Sequence, residues 1–346
     1  MSGRNWLILL LLTVAAFAGL LFYGDLREVR GLVEDSPSLY PAFAAALGLA
    51  VINYALRYVR WLMYLRALGI RAPLTVTLWV FVGGLALSIT PGKAGELLKS
   101  VWLSRRAGVP VATSAPAVVM ERLTDLVSVC LLGLTGALLL PTTIALVVVG
   151  ILAAVIVVGA LAASRFGSAA LRLPVLRRWQ EPLAESRDGL RRLMTPRMLA
   201  AAVILGGLAW AAEGLALWII IAGMGEDLST LIAIPISAVA ALVGAVTALP
   251  GGLIGFEGSM VALLRQSGLE APEAALATLL TRLATLWFAV LIGLLAWLWL
   301  SRTESARLST EWAPAVGAPV AEAPIEGLPV DGPEAGAPAE IYAERQ

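Results

Sequence analysis

Two segments of the sequence combine helix-breaking residues with charge inside otherwise apolar runs. One spans residues 90–96 and reads TPGKAGE, and the other spans residues 250–257 and reads PGGLIGFE. Each has Pro-Gly, a short spacer, a glycine and then a glutamate that begins a new apolar run. Proline removes a backbone donor and ends one helix, and glycine permits the turn. The N-terminus of the next helix favours an anion, either the nearby glutamate or a ligand phosphate.

Both turns are predicted at membrane depth, where non-helical backbone is tolerated only if protein or a water-filled cavity satisfies it. The turns should therefore be buried or line a cavity. The predicted turn residues are Pro91, Gly92 and Gly95 in the first segment and Pro250, Gly251, Gly252 and Gly255 in the second. A pair of kinked spanning helices, capped by their glutamates, is the alternative interpretation of the same pattern.

Charged residues also occur inside the other apolar segments. With those of the two turns they comprise five basic and five acidic side chains: Arg57, Arg60, Lys93, Glu96, Glu121, Arg122, Asp125, Glu213, Glu257 and Arg282. A lone charge at the bilayer centre costs roughly 2.5 to 3.5 kcal/mol, so a balanced set indicates paired charges in the protein interior. The set could form a polar path for a ligand or purely structural ion pairs. Arg57 and Arg60 could instead extend to the membrane interface.

Two of the acidic residues, Glu121 and Asp125, lie four residues apart and share one face of a helix. Their like charges need a cation from another helix, which Arg57, Arg282 or Lys93 could supply. The alternative is that this cation forms only a structural ion pair with them.

Several function classes are excluded by composition. The chain has no histidine, which excludes imidazole catalysis and histidine-ligated zinc, and its single cysteine, Cys130, excludes an intrachain disulfide. A formal net charge of +1 provides no basic field for nucleic acid. We expect no cofactor, no metal site and no nucleic-acid partner.

The composition instead predicts an all-α polytopic membrane protein. Apolar residues make up 59% of the 346 residues and the mean hydropathy is +0.87, more than one water-soluble core can hide. Spans need about 20 apolar residues to cross a hydrocarbon core of roughly 30 Å. Six segments meet that length: 5–23, 41–65, 114–139, 141–163, 198–223 and 272–300. Two further regions, 74–104 and 231–266, each contain one of the turns, which makes eight hydrophobic regions.

Orientation follows from the basic residues, because short cytoplasmic loops are enriched in them. Loop 164–197 holds eight arginines against three acids, and Arg105 and Arg106 follow the first broken region. Glu226 and Asp227 precede the second, which marks that side as external. The first region would then enter and leave from the cytoplasm and the second from outside. This predicts an inverted-repeat bundle of six full spans and two re-entrant hairpins, although two crossings per broken region would give the same parity.

The same reading predicts an inner-membrane protein with both termini in the cytoplasm. Residues 1–300 form the predicted transmembrane domain. Residues 301–346 are rich in proline, alanine and glutamate and cannot bury enough apolar surface to offset their ordering entropy. We therefore expect a disordered cytoplasmic tail there.

Four motifs in order resemble those of a known family. They are RYVRW at 57–61, TPGKAGELLKSVWL at 90–103, ERLTDL at 121–126 and LPGGLIGFEG at 249–258. Together they resemble the lysylphosphatidylglycerol synthase transmembrane-region family, which includes the flippase domain of the multiple peptide resistance factor. The resemblance covers roughly residues 5–300 and points to the charged and turn residues of these motifs. It implies a domain that moves a polar lipid between leaflets and is not an enzyme, since the family's soluble synthase domain has no counterpart in this sequence.

The function expected from the residues and the resemblance is lipid translocation, as a flippase or scramblase. Lysine and arginine would contact a headgroup phosphate, and the carboxylates would pair with those cations or with a positively charged headgroup. The cargo stays open among phospholipids, aminoacylated lipids, and polyprenyl or hopanoid lipids, as does any oligomer. A secondary transporter of a small solute fits the same architecture, and a lipid-modifying enzyme using Glu121 and Asp125 ranks third.

Overall fold

The computed structural model describes residues 3–90, 95–136, 142–163, 180–247 and 249–311, and in these ranges the chain is helical with no strand. The α-helices, numbered in chain order, are α1 Gly3–Tyr23, α2 Leu26–Asp35, α3 Leu39–Ala67, α4 Leu74–Leu85, α5 Leu98–Ala107, α6 Val111–Thr135, α7 Thr142–Ala163, α8 Gln180–Leu193, α9 Pro196–Gly223, α10 Thr230–Val246, α11 Gly255–Gln266, α12 Ala271–Arg282 and α13 Phe288–Glu311. The predicted all-α class is confirmed for this part of the chain.

Three helices are long and apolar enough to cross a membrane: Leu39–Ala67, Pro196–Gly223 and Ala271–Trp299. The last of these is a composite, because a π-helical segment, Leu283–Trp287, joins α12 to α13. These three correspond to the predicted spans 41–65, 198–223 and 272–300. Helix α6 is 25 residues long but carries three charged residues near its middle. The remaining predicted spans and the inverted repeat stay predictions.

Each of the two broken regions consists of two helices with an interruption at the predicted place. In the first, α4 is followed by a 3-10 turn at Ala86–Ile89, and α5 begins at Leu98. In the second, α10 ends at Val246, a 3-10 turn spans Pro250–Gly252, and α11 begins at Gly255. Helix α4 packs against α5, and α10 packs against α11. Each region is therefore folded back on itself as a helical hairpin.

The order of helices repeats along the chain. A helix of 21 or 22 residues (α1, α7) is followed by a shorter helix with many charges (α2, α8) and a helix of 28 or 29 residues (α3, α9). A broken hairpin and a further helix then complete each set (α4 to α6, α10 to α12). The repeated order extends the sequence match between the two turns to two sets of six helices.

The core is built on the contact between α3 and α9, which is the most extensive in the described bundle. Small buried side chains line it, including Ala46 and Ala50 on α3 and Ala209 and Ala216 on α9. Small residues let helix backbones approach closely, which is the main source of helix packing energy in a membrane. This contact places the middle of α3 against the middle of α9, next to the two turns.

The C-terminal part of the chain begins at Arg302, where a compact unit ending at Ser301 gives way to a second unit. Helix α13 continues as far as Glu311, past the predicted boundary at residue 300. Residues 312–346 lie outside the described residues, so the disordered tail stays a prediction.

Candidate functional site

Asp125, on α6, is the centre of a buried ion network. Its Oδ1 accepts a hydrogen bond from Nη2 of Arg60 at 2.6 Å, and its Oδ2 accepts one from Nη2 of Arg57 at 3.4 Å. Nη2 of Arg122 lies 3.1 Å from the same Oδ2. Arg57 and Arg60 lie three residues apart on one face of α3 and point at α6. Arg60 is fully buried and Arg57 is 7% exposed, so both favour paired charges in the protein interior over side chains that extend to the membrane interface.

The network continues through Arg122 to the first turn. Nη2 of Arg122 lies 3.0 Å from Oε2 of Glu96, in the short turn before α5. The same Glu96 Oε2 lies 3.4 Å from Nζ of Lys99. That ammonium group donates a hydrogen bond to Oε2 of Glu121 at 2.5 Å. Ser88, before the break, donates to Oε1 of Glu96 at 3.4 Å. One continuous chain of ion pairs therefore joins α3, α5, α6 and the first turn.

Lys99 is brought into this network by a glycine on α4. A Cβ at Gly84 would lie 2.6 Å from Cγ of Lys99, so only glycine leaves room for the lysine stem. The ammonium group lies 5.8 Å from the ring centroid of Trp61 and 5.4 Å from that of Phe81. These distances suit cation–π attraction, which is stronger in a desolvated site.

A second, smaller network surrounds the other turn. Nε of Arg282, the last residue of α12, donates to Oε1 of Glu257 at 2.7 Å. Nη2 of Arg282 donates to the carbonyl oxygen of Gly251 at 2.6 Å, and its guanidinium carbon lies 4.4 Å from the ring centroid of Phe256. Arg282 therefore holds the turn and the first turn of α11 together. It pairs with Glu257 and not with Glu121 or Asp125, for which the sequence had offered it as a partner.

The second turn depends on glycine, because Gly251 and Gly252 have φ of 63° and 70°. These values lie in the left-handed region, which costs other residues energy. Gly255 then begins α11, so the four residues of this predicted turn lie at the interruption between α10 and α11.

The described part of the first turn shows a different closure. The backbone N–H of Gly95 donates to Oγ1 of Thr90 at 2.9 Å. Pro91, Gly92 and Lys93 lie outside the described residues, so their predicted places stay untested. The two turns touch, since a Cβ at Gly251 would lie 3.3 Å from Cγ1 of Ile89.

Glu213, near the middle of α9, lies close to both networks. Its Oε1 accepts a hydrogen bond from Nδ2 of Asn53 at 3.2 Å, and the same amide nitrogen donates to the carbonyl oxygen of Ala209 at 2.7 Å. The Glu213 carboxylate interacts electrostatically with Arg57 and Arg282. It therefore links the two networks across the contact of α3 with α9.

Both networks contribute to the wall of one cavity of about 400 Å³. Its charged lining residues are Arg57, Arg122, Asp125, Glu213 and Arg282. Hydroxyl groups of Tyr54, Ser88 and Thr90 add polar surface, and Gly251 and Gly252 supply backbone. Most of the remaining lining is apolar, including Leu126, Trp210 and Phe256. The cavity therefore has both charged and apolar lining residues.

Comparison with known proteins identifies the family of the chain. Residues 7–293 match the family described as the lysylphosphatidylglycerol synthase TM region. The chain belongs to the lysylphosphatidylglycerol synthase transmembrane-region family. The resemblance found in its motifs is thus confirmed over nearly the whole helical part. The family is one of membrane proteins, and the three helices long enough to span a bilayer agree with that location.

A curated relative is the glycosyltransferase AglD of Haloferax volcanii. It is 31% identical to this chain over 132 residues, which is 38% of this chain and 20% of that protein. The chain thus aligns with about a fifth of that relative, so AglD's activity is not transferred by the match.

For this family member, sequence reasoning identified most of the charged residues that the structure brings together. It missed Lys99, which pairs with Glu121, and the polar neighbours Asn53 and Tyr54. Lys99 had a visible signal, since it lies three residues after Glu96 inside the apolar run LLKSVWL. Asn53 had little signal in the sequence, because a single amide in an apolar helix does not reveal its partner. Among the described residues, no group of three or more His, Cys, Asp or Glu side chains could hold a metal ion.

Proposed function

We propose that this protein is a lipid translocase, a flippase or scramblase that moves a polar-headgroup lipid between leaflets. The observation that carries the proposal is the cavity at the contact of the two turns, with its charged and apolar lining residues. A headgroup would contact the charged residues while the acyl chains stay in apolar surroundings. The proposed path comprises Arg57, Arg60, Lys93, Glu96, Glu121, Arg122, Asp125, Glu213, Glu257 and Arg282, of which Lys93 stays a sequence prediction, with Lys99 added from the structure.

The rim of the cavity supports a lipid over a soluble solute. Three lining residues at the end of α10 and just after it, Ala245, Val246 and Leu249, are exposed and apolar. Val246 is 66% exposed and Leu249 is 38% exposed. An apolar rim at membrane depth allows a lipid tail to remain in the bilayer while the headgroup enters. A solute transporter would instead need a polar rim that faces water.

Helix lengths support re-entrant hairpins over full crossings. Helix α5 has 10 residues and α11 has 12, which correspond to about 15 Å and 18 Å of helix. Neither can cross a hydrocarbon core of roughly 30 Å. We therefore infer that each hairpin enters and leaves on one side, the first from the cytoplasm and the second from outside. The inner-membrane location and cytoplasmic termini form part of the same proposal.

We propose transport without chemical change of the lipid. The carboxylates of Glu96, Glu121 and Asp125 each contact at least one lysine or arginine, which opposes a role as general base. Catalysis by a carboxylate needs the group within reach of a reacting proton and poised to accept it. The sequence match to AglD is too short to argue for glycosyl transfer.

The test measures lipid flipping by the purified full chain in proteoliposomes. Flipping is monitored by quenching the fluorescence of labelled headgroups in the outer leaflet. The flipping rate of vesicles with the wild-type protein should exceed that of empty vesicles. Arg122→Gln and Glu257→Gln should each slow flipping by about tenfold, because the first removes a cation that lines the cavity and the second removes the carboxylate that holds Arg282 in place. Arg105→Gln, at an exposed arginine in the last turn of α5, is the matched control and should equal wild type.

Two outcomes would contradict the proposal. Flipping no faster than in empty vesicles would exclude translocation under these conditions of lipid and protein. Equal rates for wild type and both cavity variants would show that the charged cavity is not the path. Uptake of a soluble solute in place of lipid flipping would favour the secondary transporter.

A further inference from the structure

The cavity wall has a charge imbalance that the balanced charge count hides. Three arginines line the cavity: Arg57, Arg122 and Arg282. The carboxylates that hold two of them, Glu96 beside Arg122 and Glu257 beside Arg282, are buried and do not line it. The lining therefore holds three arginines against two carboxylates, those of Asp125 and Glu213, which is one more cation than anion.

The two carboxylates that do line the cavity already have partners. Asp125 contacts Arg57, Arg60 and Arg122 through its two oxygens. Glu213 accepts a hydrogen bond from Asn53. Their capacity to take up a further cation is therefore reduced, whereas the arginines keep donors to offer.

The arginines that line the cavity keep donors that the described residues leave unsatisfied. Nε of Arg57 and Nε of Arg122 are buried and have no hydrogen-bond acceptor among the described residues. Arg57 is 7% exposed and lines the cavity. Nη2 of Arg122 also lacks an aligned acceptor, although it lies 3.0 Å from Glu96. Buried donors are normally satisfied, so these arginines have hydrogen-bonding capacity left over, and an anion with several acceptors bound beside them suits it better than a cation does.

The two halves of the chain supply matching parts of this wall. Glu96 follows the first break and contacts Arg122 on the next helix, 26 residues later; Glu257 follows the second break and contacts Arg282, 25 residues later. Both arginines line the same cavity. Two arginines from matching positions, with Arg57 from α3, provide planar donor groups on several elements. A phosphate has enough acceptor oxygens to bind several such groups at once, and arginine suits it well.

We propose that the cavity binds a lipid headgroup with a phosphate and net negative charge, and that it disfavours a headgroup with an added cationic group. This deepens the proposed translocase function and rests on it for the lipid. It also decides between the two roles the sequence left open for the carboxylates: they hold the arginines and do not receive a cationic headgroup.

The test measures lipid binding to the purified full chain in detergent by native mass spectrometry. The probes share dioleoyl chains and differ in the headgroup: phosphatidylglycerol, its lysyl ester, and diacylglycerol. Phosphatidylglycerol should bind at least about tenfold more tightly than the other two, the effect of one charge-assisted hydrogen bond. Arg122→Gln should remove about tenfold of that affinity, because Glu96 and Asp125 keep other cations in this variant. Arg105→Gln should bind like wild type.

A second variant covers the case in which Arg122→Gln fails to fold. The double variant Glu257→Gln/Arg282→Gln removes the matching arginine without leaving its carboxylate buried and unpaired, and it should also weaken phosphatidylglycerol binding. Equal or tighter binding of the lysyl ester or of diacylglycerol would overturn the proposal. An equal loss of phosphatidylglycerol affinity in Arg105→Gln would also overturn it, because that loss would indicate binding to the protein surface.

A further arm separates a lipid from a soluble phosphate ester and keeps this proposal distinct from translocation. Glycerol 3-phosphate should compete weakly, because it lacks the acyl chains that the apolar lining residues would contact. Competition at the affinity of phosphatidylglycerol would overturn the lipid part of the proposal and favour a solute transporter. Selective binding without flipping would support the headgroup proposal and contradict the translocase. Flipping without selectivity for headgroup charge would support the translocase and contradict the headgroup proposal.

Discussion

At the scale of single residues, the structure shows how a lysine and a glutamate are kept in the protein interior. Lys99 and Glu121 are 2% and 0% exposed, and their side chains meet at 2.5 Å. A buried ion pair contributes little net stability, because desolvation offsets the attraction, but removing one partner leaves an uncompensated charge. The pair is therefore better explained by its place beside the cavity arginines than by stability.

This residue-scale argument gives a prediction on stability. Lys99→Met should lower the free energy of unfolding by about 3 to 5 kcal/mol, because Glu121 stays buried without its main cation. Lys99→Met/Glu121→Met should recover most of that loss, since no unpaired charge remains. The measurement is thermal unfolding in detergent. Arg30→Gln, at an exposed pair with Glu34, is the control and should change stability by less than about 1 kcal/mol. A double variant no more stable than Lys99→Met would contradict the pairing.

Which residues carry charge could be predicted from the sequence, but which residues pair could not. Asp125 needed a cation, and Arg57 was one of the three that the sequence offered. Arg282 was offered too, yet it contacts Glu257. The choice depends on the rotation and depth of each helix, and these follow from packing such as that of α3 against α9. One sequence does not encode that rotation in any local pattern.

At the scale of elements, the breaks are the part of the fold that sequence predicted best. Proline and glycine act locally, so their effect on a helix needs no knowledge of its neighbours. The short helices α2 and α8 were less visible. They are charged and lie between apolar segments, so composition alone did not distinguish them from loops.

The second turn gives an element-scale prediction. Gly251→Ala should destabilise the protein by about 1 to 2 kcal/mol, because φ of 63° is unfavourable with a Cβ. The new Cβ would also lie 3.2 Å from Cδ2 of Leu286 and 3.3 Å from Cγ1 of Ile89. Gly258→Ala, in the exposed part of α11 with no atom within 4 Å, is the control. It should stabilise by about 0.5 to 1 kcal/mol, since alanine favours helix.

Thermal unfolding and lipid flipping should be measured on both glycine variants. Gly251→Ala should also reduce flipping, because the Gly251 carbonyl oxygen accepts the hydrogen bond that orients Arg282. Equal stability of the two variants would show that the turn does not need the left-handed conformation.

At the scale of the whole molecule, the contact between the two turns joins the two sets of six helices. The sequence indicated that the turns match but did not show that they touch. Their contact depends on both hairpins reaching the same depth, which helix lengths and packing decide. In the proposed arrangement, α5 and α11 are too short to cross, and hairpins that enter from opposite sides bring both turns together near the middle of the bilayer. This makes orientation the property that the remaining experiment must test.

Orientation can be tested with a membrane-impermeant maleimide in a Cys130→Ala background, since Cys130 is the chain's one cysteine. Arg105→Cys should react only from the cytoplasmic side and Gln266→Cys only from outside, because these exposed residues lie at the ends of α5 and α11. Ile254→Cys distinguishes a re-entrant hairpin from a full crossing. Ile254 is 65% exposed in the second turn, so it faces lipid in the hairpin and should react from neither side.

Full crossings would place Ile254 at the cytoplasmic surface, where the maleimide would label it readily. Labelling of Ile254→Cys from that side would therefore exclude the re-entrant path, and labelling of Arg105→Cys and Gln266→Cys from one common side would exclude the inverted repeat. Flipping by each cysteine variant provides the control for folding. If the labelling pattern holds, the cavity lies between two oppositely oriented hairpins, so a headgroup could reach it from either leaflet by a similar path. That access from both leaflets is what energy-independent translocation requires and what a one-sided binding pocket would lack.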